Sequence, residues 1–212
     1  MEHDFWHTKW EKRELGFHEG TPNQLLTKHF RKLELASRSR VFVPLCVKSR
    51  DISFLLYQGY KVVGAELNES AVQELFEEVD QAALVSSSGP IKHYAGLGIE
   101  VFVGDIFNLS QEMLGKVDAV YDRAALVALP PVLRAQYAQH LASLSETAPQ
   151  LVITFSYEQS LMHGPPFSVP DQELLSHYGN RYHLHPLESR PLEGGLKGKV
   201  PALETVHYLE PR

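Results

Sequence analysis

The chain reads as a doubly wound α/β fold, a mostly parallel sheet of about seven strands with helices on both faces. Three observations predict it. Apolar runs alternate five times with amphipathic segments of helical period. Residues 40–66, RVFVPLCVKSRDISFLLYQGYKVVGAE, place an apolar run, a polar loop, an amphipathic stretch, a second apolar run and an acid in βαβ order. Two further apolar runs, over residues 181–187 and 203–209, close the chain as an antiparallel pair.

The elements follow in order. Residues 4–15 read as a short helix with Phe5, Trp6 and Trp10, and both tryptophans of the protein stand here, four positions apart on one face. Thr21-Pro22 looks like an N-cap and a proline at the first helical position, opening a helix with Leu25, Leu26, Phe30 and Leu33 inward. Residues 40–45 form strand one, apolar throughout as befits a strand buried on both faces. Asp51 can cap the next helix, with Ile52, Leu55 and Leu56 toward the sheet and Gly59 at its end. Strand two spans 61–67, and Asn68 caps a helix carrying Val72, Leu75, Phe76 and Val79.

Residues 80–98, punctuated by SSSGP and GLG, read as an irregular excursion before strand three at 99–103. Strand four covers 117–122, and Pro130-Pro131 start a long helix with Leu133, Tyr137, Leu141 and Leu144 inward. Strand five covers 151–157. Six of the 13 prolines fall in residues 164–201, which read as loop-rich cover. The whole, residues 1–212, is read as a single domain with 1–35 as helical cover.

Composition narrows the function. Twenty basic against 26 acidic residues, a net charge of −6, argue against a nucleic-acid surface. No apolar run reaches the ~18 residues of a membrane span. The charged, aromatic N-terminus is not a signal peptide, and a single cysteine fits a reducing cytoplasm. Monomer is the default expectation.

The site chemistry starts at Glu66. An acid at the carboxyl end of the second strand sits where ribose hydroxyls can donate to it. The loop at 44–49 is PLCVKS, with no G-x-G-x-x-G, so a pyrophosphate cofactor such as NAD or FAD is disfavoured. Lys48-Ser49 lacks the glycines of a phosphate-binding loop, no G-x-S-x-G elbow is present, and the eleven histidines form no ligand motif for a metal. Cys46, near a helix N-terminus and Lys48, could be a nucleophile, although a buried inert cysteine is the commoner case. Gly104-Asp105-Ile106 end strand three beside Glu66 and suit an adenine or ribose edge. Asp122 and Arg123 end a central strand and point to the crevice where such sheets bind ligands. A methyl donor of the S-adenosylmethionine type fits: it needs an acid for ribose, amide donors for a carboxylate, and aromatic faces for a sulfonium.

At these residues the sequence resembles the bacterial thiopurine S-methyltransferases. The matching stretches are FWHTKW with LGFHEG, RVFVPLCVKS, GYKVVGAELNESAV, GIEVFVGDIF, VDAVYDRAALVALPP and SYEQSLMHGPPFSVP, in family order across roughly residues 5–210. The resemblance implies a class I methyltransferase fold, S-adenosylmethionine as donor, and small acceptors methylated on sulfur or, in bacterial members, on selenium or tellurium. It implies that Trp6, Trp10, Leu45, Val47, Glu66, Asp105, Ile106 and Arg123 line the cofactor site. Phe17, Arg123, Tyr157, Pro165, Pro166 and Phe167 would border the acceptor, with Arg123 orienting it as an anion. A methyltransferase-like adenosine-cofactor-binding protein with little turnover is the alternative.

One position departs from the family. The family writes the first loop P-L-C-G-K-S, and here Val47 replaces the glycine. Either the loop takes an ordinary conformation that tolerates a side chain, or cofactor affinity is reduced.

Overall fold

The computed structural model describes Thr8 and residues 20–212. Apart from Thr8, the helix expected over 4–15, with Trp6 and Trp10, lies outside the described residues, as does Phe17. The described strands form one sheet: β1 (Arg40–Pro44), β2 (Lys61–Glu66), β3 (Leu84–Ser88), β4 (Ile91–Ala95), β5 (Ile99–Val103), β6 (Ala119–Arg123), β7 (Gln150–Ser156), β8 (Tyr182–Pro191) and β9 (Leu203–Pro211). Their order is β3-β4-β5-β2-β1-β6-β7-β9-β8. The five central strands β5-β2-β1-β6-β7 are parallel, and an antiparallel pair flanks them at each edge.

About seven strands were expected, and nine are present among the described residues. The extra two are the β3–β4 hairpin inside the stretch read as an irregular excursion. All five β3 residues are exposed, so no burial pattern advertises the strand. Its partner β4 buries Ile91 and Tyr94 and takes its register from β5, with His93 opposite Phe102. The closing pair β8–β9 is antiparallel as expected, with a bulge between Pro186 and Glu188.

Two helix starts differ from expectation. The first helix, α1 (Gln24–His29), is capped by Asn23 rather than Thr21, because the Asn23 carboxamide oxygen accepts from the Leu25 and Leu26 N–H groups at 2.8 and 3.3 Å. The second, α2 (Arg50–Tyr57), is capped by Ser49, whose hydroxyl accepts from the Asp51 N–H, so the Asp51 carboxylate is left for other work. Asn68 caps α3 (Glu69–Glu78) as expected. The short α4 (Gln111–Leu114) precedes β6, and α5 (Pro131–Leu144) begins at the proline pair. A further helix, α6 (Asp171–Tyr178), lies in the proline-rich stretch read as loop and buries Leu174 and Tyr178.

Alternate residues of each central strand go to opposite faces. Val41, Val43, Val62, Val101 and Ile153 pack with Leu26, Ile52, Leu55, Val72 and Leu75 of the first three helices and with Phe30 just after α1. Phe42, Val63, Phe102, Val120 and Val152 pack with Tyr137, Leu141, Leu174 and Tyr178 on the other face. Burial on both faces is why these strands read as unbroken apolar runs. The order of strands reverses between β1 and β6, which opens a crevice beyond their carboxyl ends.

Candidate active site

Glu66 ends β2 and is only 6% exposed. Its Oε2 accepts from the Val47 N–H at 3.0 Å and its Oε1 from the Asn68 N–H at 2.9 Å. Burial pushes its pKa up, and the N–H groups of Asn68, Val47 and Leu67 oppose that rise. The Gly104 N–H donates to the Glu66 carbonyl at 2.8 Å, which seats Asp105 and Ile106 beside it. Gly104 is required twice over: its φ is +148°, and a Cβ there would lie 2.6 Å from Ile91 Cδ1. Asp105 caps the turn that follows, accepting from the Phe107 N–H at 3.0 Å, and Ile106 is buried. Sequence reasoning thus placed Leu45, Val47, Glu66, Asp105 and Ile106 at one end of the sheet, and the fold brings them together there.

The loop after β1 does not take an ordinary conformation. Leu45 and Val47 have φ of 46° and 51°, and Ala124, just after β6, has 62°. Left-handed backbone is strained for residues with a Cβ, and more so for a β-branched one. Three such residues flank the crevice at the ends of β1 and β6, where strained backbone commonly marks a functional site. Cys46 between them is not a nucleophile. It is buried against Gly64, burial and then the Glu66 charge hold its thiol protonated, and a Cβ on Gly64 would lie 2.6 Å from its Sγ. Lys48 turns to Glu74 and Glu78 of α3, at 2.6 and 3.3 Å.

Arg123 and Asp122, neighbours in β6, part company. Asp122 does not point to the crevice: it is fully buried on the opposite face, where Oδ2 accepts from the Tyr137 hydroxyl at 2.8 Å and Oδ1 from the Leu126 N–H at 3.1 Å. Burial raises its pKa to about 6 despite those donors. Side chains alternate along a strand, so two adjacent charged residues cannot both face one crevice wall. Arg123 stands on the α2 side, its Nη1 3.4 Å from Asp51 Oδ2 and its side chain 10% exposed.

The expected acceptor residues lie along the next stretch of the same edge. Tyr157, just past β7, donates its hydroxyl to the Pro166 carbonyl at 2.8 Å, and its backbone N–H donates to Ser168 Oγ. The Phe167 N–H donates to the Val127 carbonyl at 2.6 Å, its ring lies 5.4 Å from the Arg134 guanidinium, and Lys197 donates to the Pro165 carbonyl. Pro165, Pro166 and Phe167 are therefore braced against the turn that follows Arg123. A groove of about 440 Å³ opens nearby, lined by Ser156, Leu192, Lys199 and Ala202 among others. Sequence reasoning missed that lining and also Asn23, Tyr121 and Glu204, whose roles come from contacts between distant segments. It saw Asp51 only as a cap.

These residues fit an adenosine-bearing methyl donor. A buried carboxylate held by two backbone N–H groups still offers lone pairs to ribose hydroxyls, and the Leu45–Val47 loop turns the Val47 N–H toward it. Comparisons with known proteins agree. The chain is 50% identical over 211 residues to the thiopurine S-methyltransferase of Xanthobacter autotrophicus, covering 99% of each chain. It is 52% identical over 209 residues to that of Teredinibacter turnerae, covering 99% of this chain and 97% of the other. In fold it is similar to a SAM-dependent methyltransferase of Methanosarcina mazei, with a TM-score of 0.65, 13% identity, and coverage of 90% and 99%. It is likewise similar to the Burkholderia thailandensis 1,6-didemethyltoxoflavin-N1-methyltransferase solved with S-adenosylhomocysteine, with a TM-score of 0.65, 15% identity, and coverage of 98% and 86%. Residues 1–199 match the thiopurine S-methyltransferase family. With sheet order, buried Glu66 and sequence all in accord, the chain belongs to the thiopurine S-methyltransferase family and is an S-adenosylmethionine-dependent methyltransferase.

Proposed function

We propose that this enzyme methylates the sulfur of small aromatic thiols, thiopurines among them, and that selenium or tellurium oxyanions are secondary acceptors. S-adenosylmethionine, when bound, supplies a methyl group on a positively charged sulfur, which a thiolate takes by in-line displacement. The chain's own residues bind, orient and shield. Glu66 accepts from the ribose hydroxyls, while Leu45, Val47, Asp105 and Ile106 hold the nucleoside end. Arg123 presents its positive charge at the carboxyl end of β6 and orients the anionic acceptor. Tyr157 and Pro165–Phe167 wall the acceptor side.

The observation that carries this reading is Arg123 at the strand-order reversal. Aromatic thiols are substantially ionised near neutrality and need a fixed cation and alignment more than a strong base. Asp122 faces the other side of the sheet and the Cys46 thiol stays protonated, so neither serves as base.

A panel of aromatic thiols, an aliphatic thiol, selenite and tellurite tests it. Turnover is expected to be highest for the aromatic thiols, with a pH profile that follows the thiol's own ionisation. Binding of S-adenosylhomocysteine with no turnover across the panel would instead leave a cofactor-binding protein.

A further inference from the structure

Asp51 is a buried carboxylate whose position neither helix capping nor packing explains. It is 1% exposed in the first turn of α2, where Ser49 already caps the helix. Burying a carboxylate is costly unless its lone pairs are occupied, and those of Asp51 are. Its Oδ1 accepts from the Asn23 N–H at 2.7 Å. Its Oδ2 accepts from the Tyr121 hydroxyl at 2.8 Å and stands 3.4 Å from Arg123 Nη1. Tyr121 and Arg123 are two apart in β6 and so share a face, which lets one carboxylate oxygen serve both.

Three segments meet at this group: the first turn of α2, the end of β6, and the chain entering α1. Asn23 is gripped from a second direction, because its side-chain nitrogen donates to Glu204 Oε1 at 3.0 Å and Arg190 holds Glu204 Oε2 through Nε and Nη2 at 3.1 and 2.8 Å. Asp51 lies close in sequence to the strained Leu45–Val47 loop, so a change in that loop reaches Arg123 and Asn23 through one side chain. The contact from Arg123 Nη1 to Asp51 Oδ2, at 3.4 Å, is longer than the ~2.7–2.9 Å of a tight charge-assisted pair.

We infer that Asp51 is a positioning residue for methyl transfer, a single carboxylate that aims Arg123 and pins the N-terminal chain at Asn23 to the cofactor loop. The inference rests on the role proposed for Arg123.

A double-mutant cycle of Asp51→Asn and Arg123→Ala tests it, with kcat and KM measured on an aromatic thiol. Asp51→Asn is expected to lower kcat about tenfold, to keep the S-adenosylmethionine KM within about twofold, and to change kcat less than about twofold once Arg123 is alanine. Asp51→Glu is expected to recover part of the loss. Equal fold losses in both backgrounds, or full kcat in Asp51→Asn, would overturn the inference. Should Asp51→Asn not fold, Tyr121→Phe removes a donor to the same oxygen at nearly constant shape and enters the same cycle.

A second arm does not need turnover. Both tryptophans precede Asn23 in the chain, so selectively excited tryptophan fluorescence reports on the N-terminal segment alone. The emission change on adding S-adenosylhomocysteine is expected to shrink severalfold in Asp51→Asn, and an unaltered change sinks the pinning role. If the wild type methylates no thiol, the proposed function fails, and this arm still judges Asp51.

Discussion

The two halves of the sheet's carboxyl edge are built differently. On the β5-β2-β1 side the polar contacts are short in sequence: Glu66 with Asn68, Asp105 with Phe107, and Val47 with Glu66 across one βαβ unit. On the β6-β7 side local contacts such as Tyr157 with Pro166 are joined by ones between remote segments, as in Phe167 with Val127, Arg134 with Glu173, and Lys197 with Pro165. The difference teaches that the donor half can be assembled from local turns, which suits a ligand common to many enzymes. The acceptor half depends on where separate loops come to rest, and is free to vary with the acceptor.

Substitutions can break this division or sharpen it. Glu66→Ala carries the largest expected effect, since two charge-assisted hydrogen bonds of about 1.5–3 kcal/mol each would go, so S-adenosylhomocysteine affinity should fall at least about 100-fold by calorimetry. Tyr157→Phe is the matched substitution in the other half. It should leave that affinity within about twofold and raise the thiol KM, as expected of a hydroxyl that braces Pro166 and accepts from Gln159 on this side of the edge. If both variants lose donor affinity alike, the division is wrong.

Asp122→Asn tests the buried face of β6. A pKa held near 6 by burial means that the folded state binds the proton more tightly than the unfolded chain does. Stability from this group is therefore fully present below the ordinary aspartate pKa and is lost as pH rises through about 6, by roughly 3 kcal/mol at most. Denaturant melts from pH 3.5 to 7.5 should show that decline in the wild type and a flatter curve in Asp122→Asn. An unchanged curve would mean that Asp122 binds its proton no more tightly in the folded state than in the unfolded chain.

Asn68→Ala removes the cap of α3 and should lower stability by about 1 kcal/mol, read from denaturant midpoints. Val47→Gly carries the smallest expected change in stability. Relief of left-handed strain, about 1–2 kcal/mol, is partly offset by the greater freedom of glycine in the unfolded chain. Its clearer signature is tighter S-adenosylhomocysteine binding, severalfold by calorimetry, because the loop would no longer hold a β-branched residue at a φ of 51°. Equal or weaker binding would show that the valine side chain itself contributes contacts.

Much of the donor half was legible in residue order. Strand β5 falls at 99–103 as read, Asn68 caps its helix, and the prolines at 130 and 131 start α5, because each of these signals is local. The misses share another origin. The β3 strand exists through main-chain pairing with β4 and shows no alternation to find. Helix α6 lies within a proline-rich stretch, yet Leu174 and Tyr178 find a core to enter.

The Val47 question shows the boundary most clearly. Sequence alone identified the position and left two conformations open, and the backbone closed one of them. Sequence by itself also determined the family, the alternation that makes a doubly wound sheet, and the acid that ends its second strand. These are set by residue type and spacing within one or two turns of chain. Only the tertiary structure decided that Asp122 looks away from the crevice, and that one carboxylate at Asp51 gathers Asn23, Tyr121 and Arg123. Such contacts depend on strand phase and on segments far apart in sequence, and no local signal carries either.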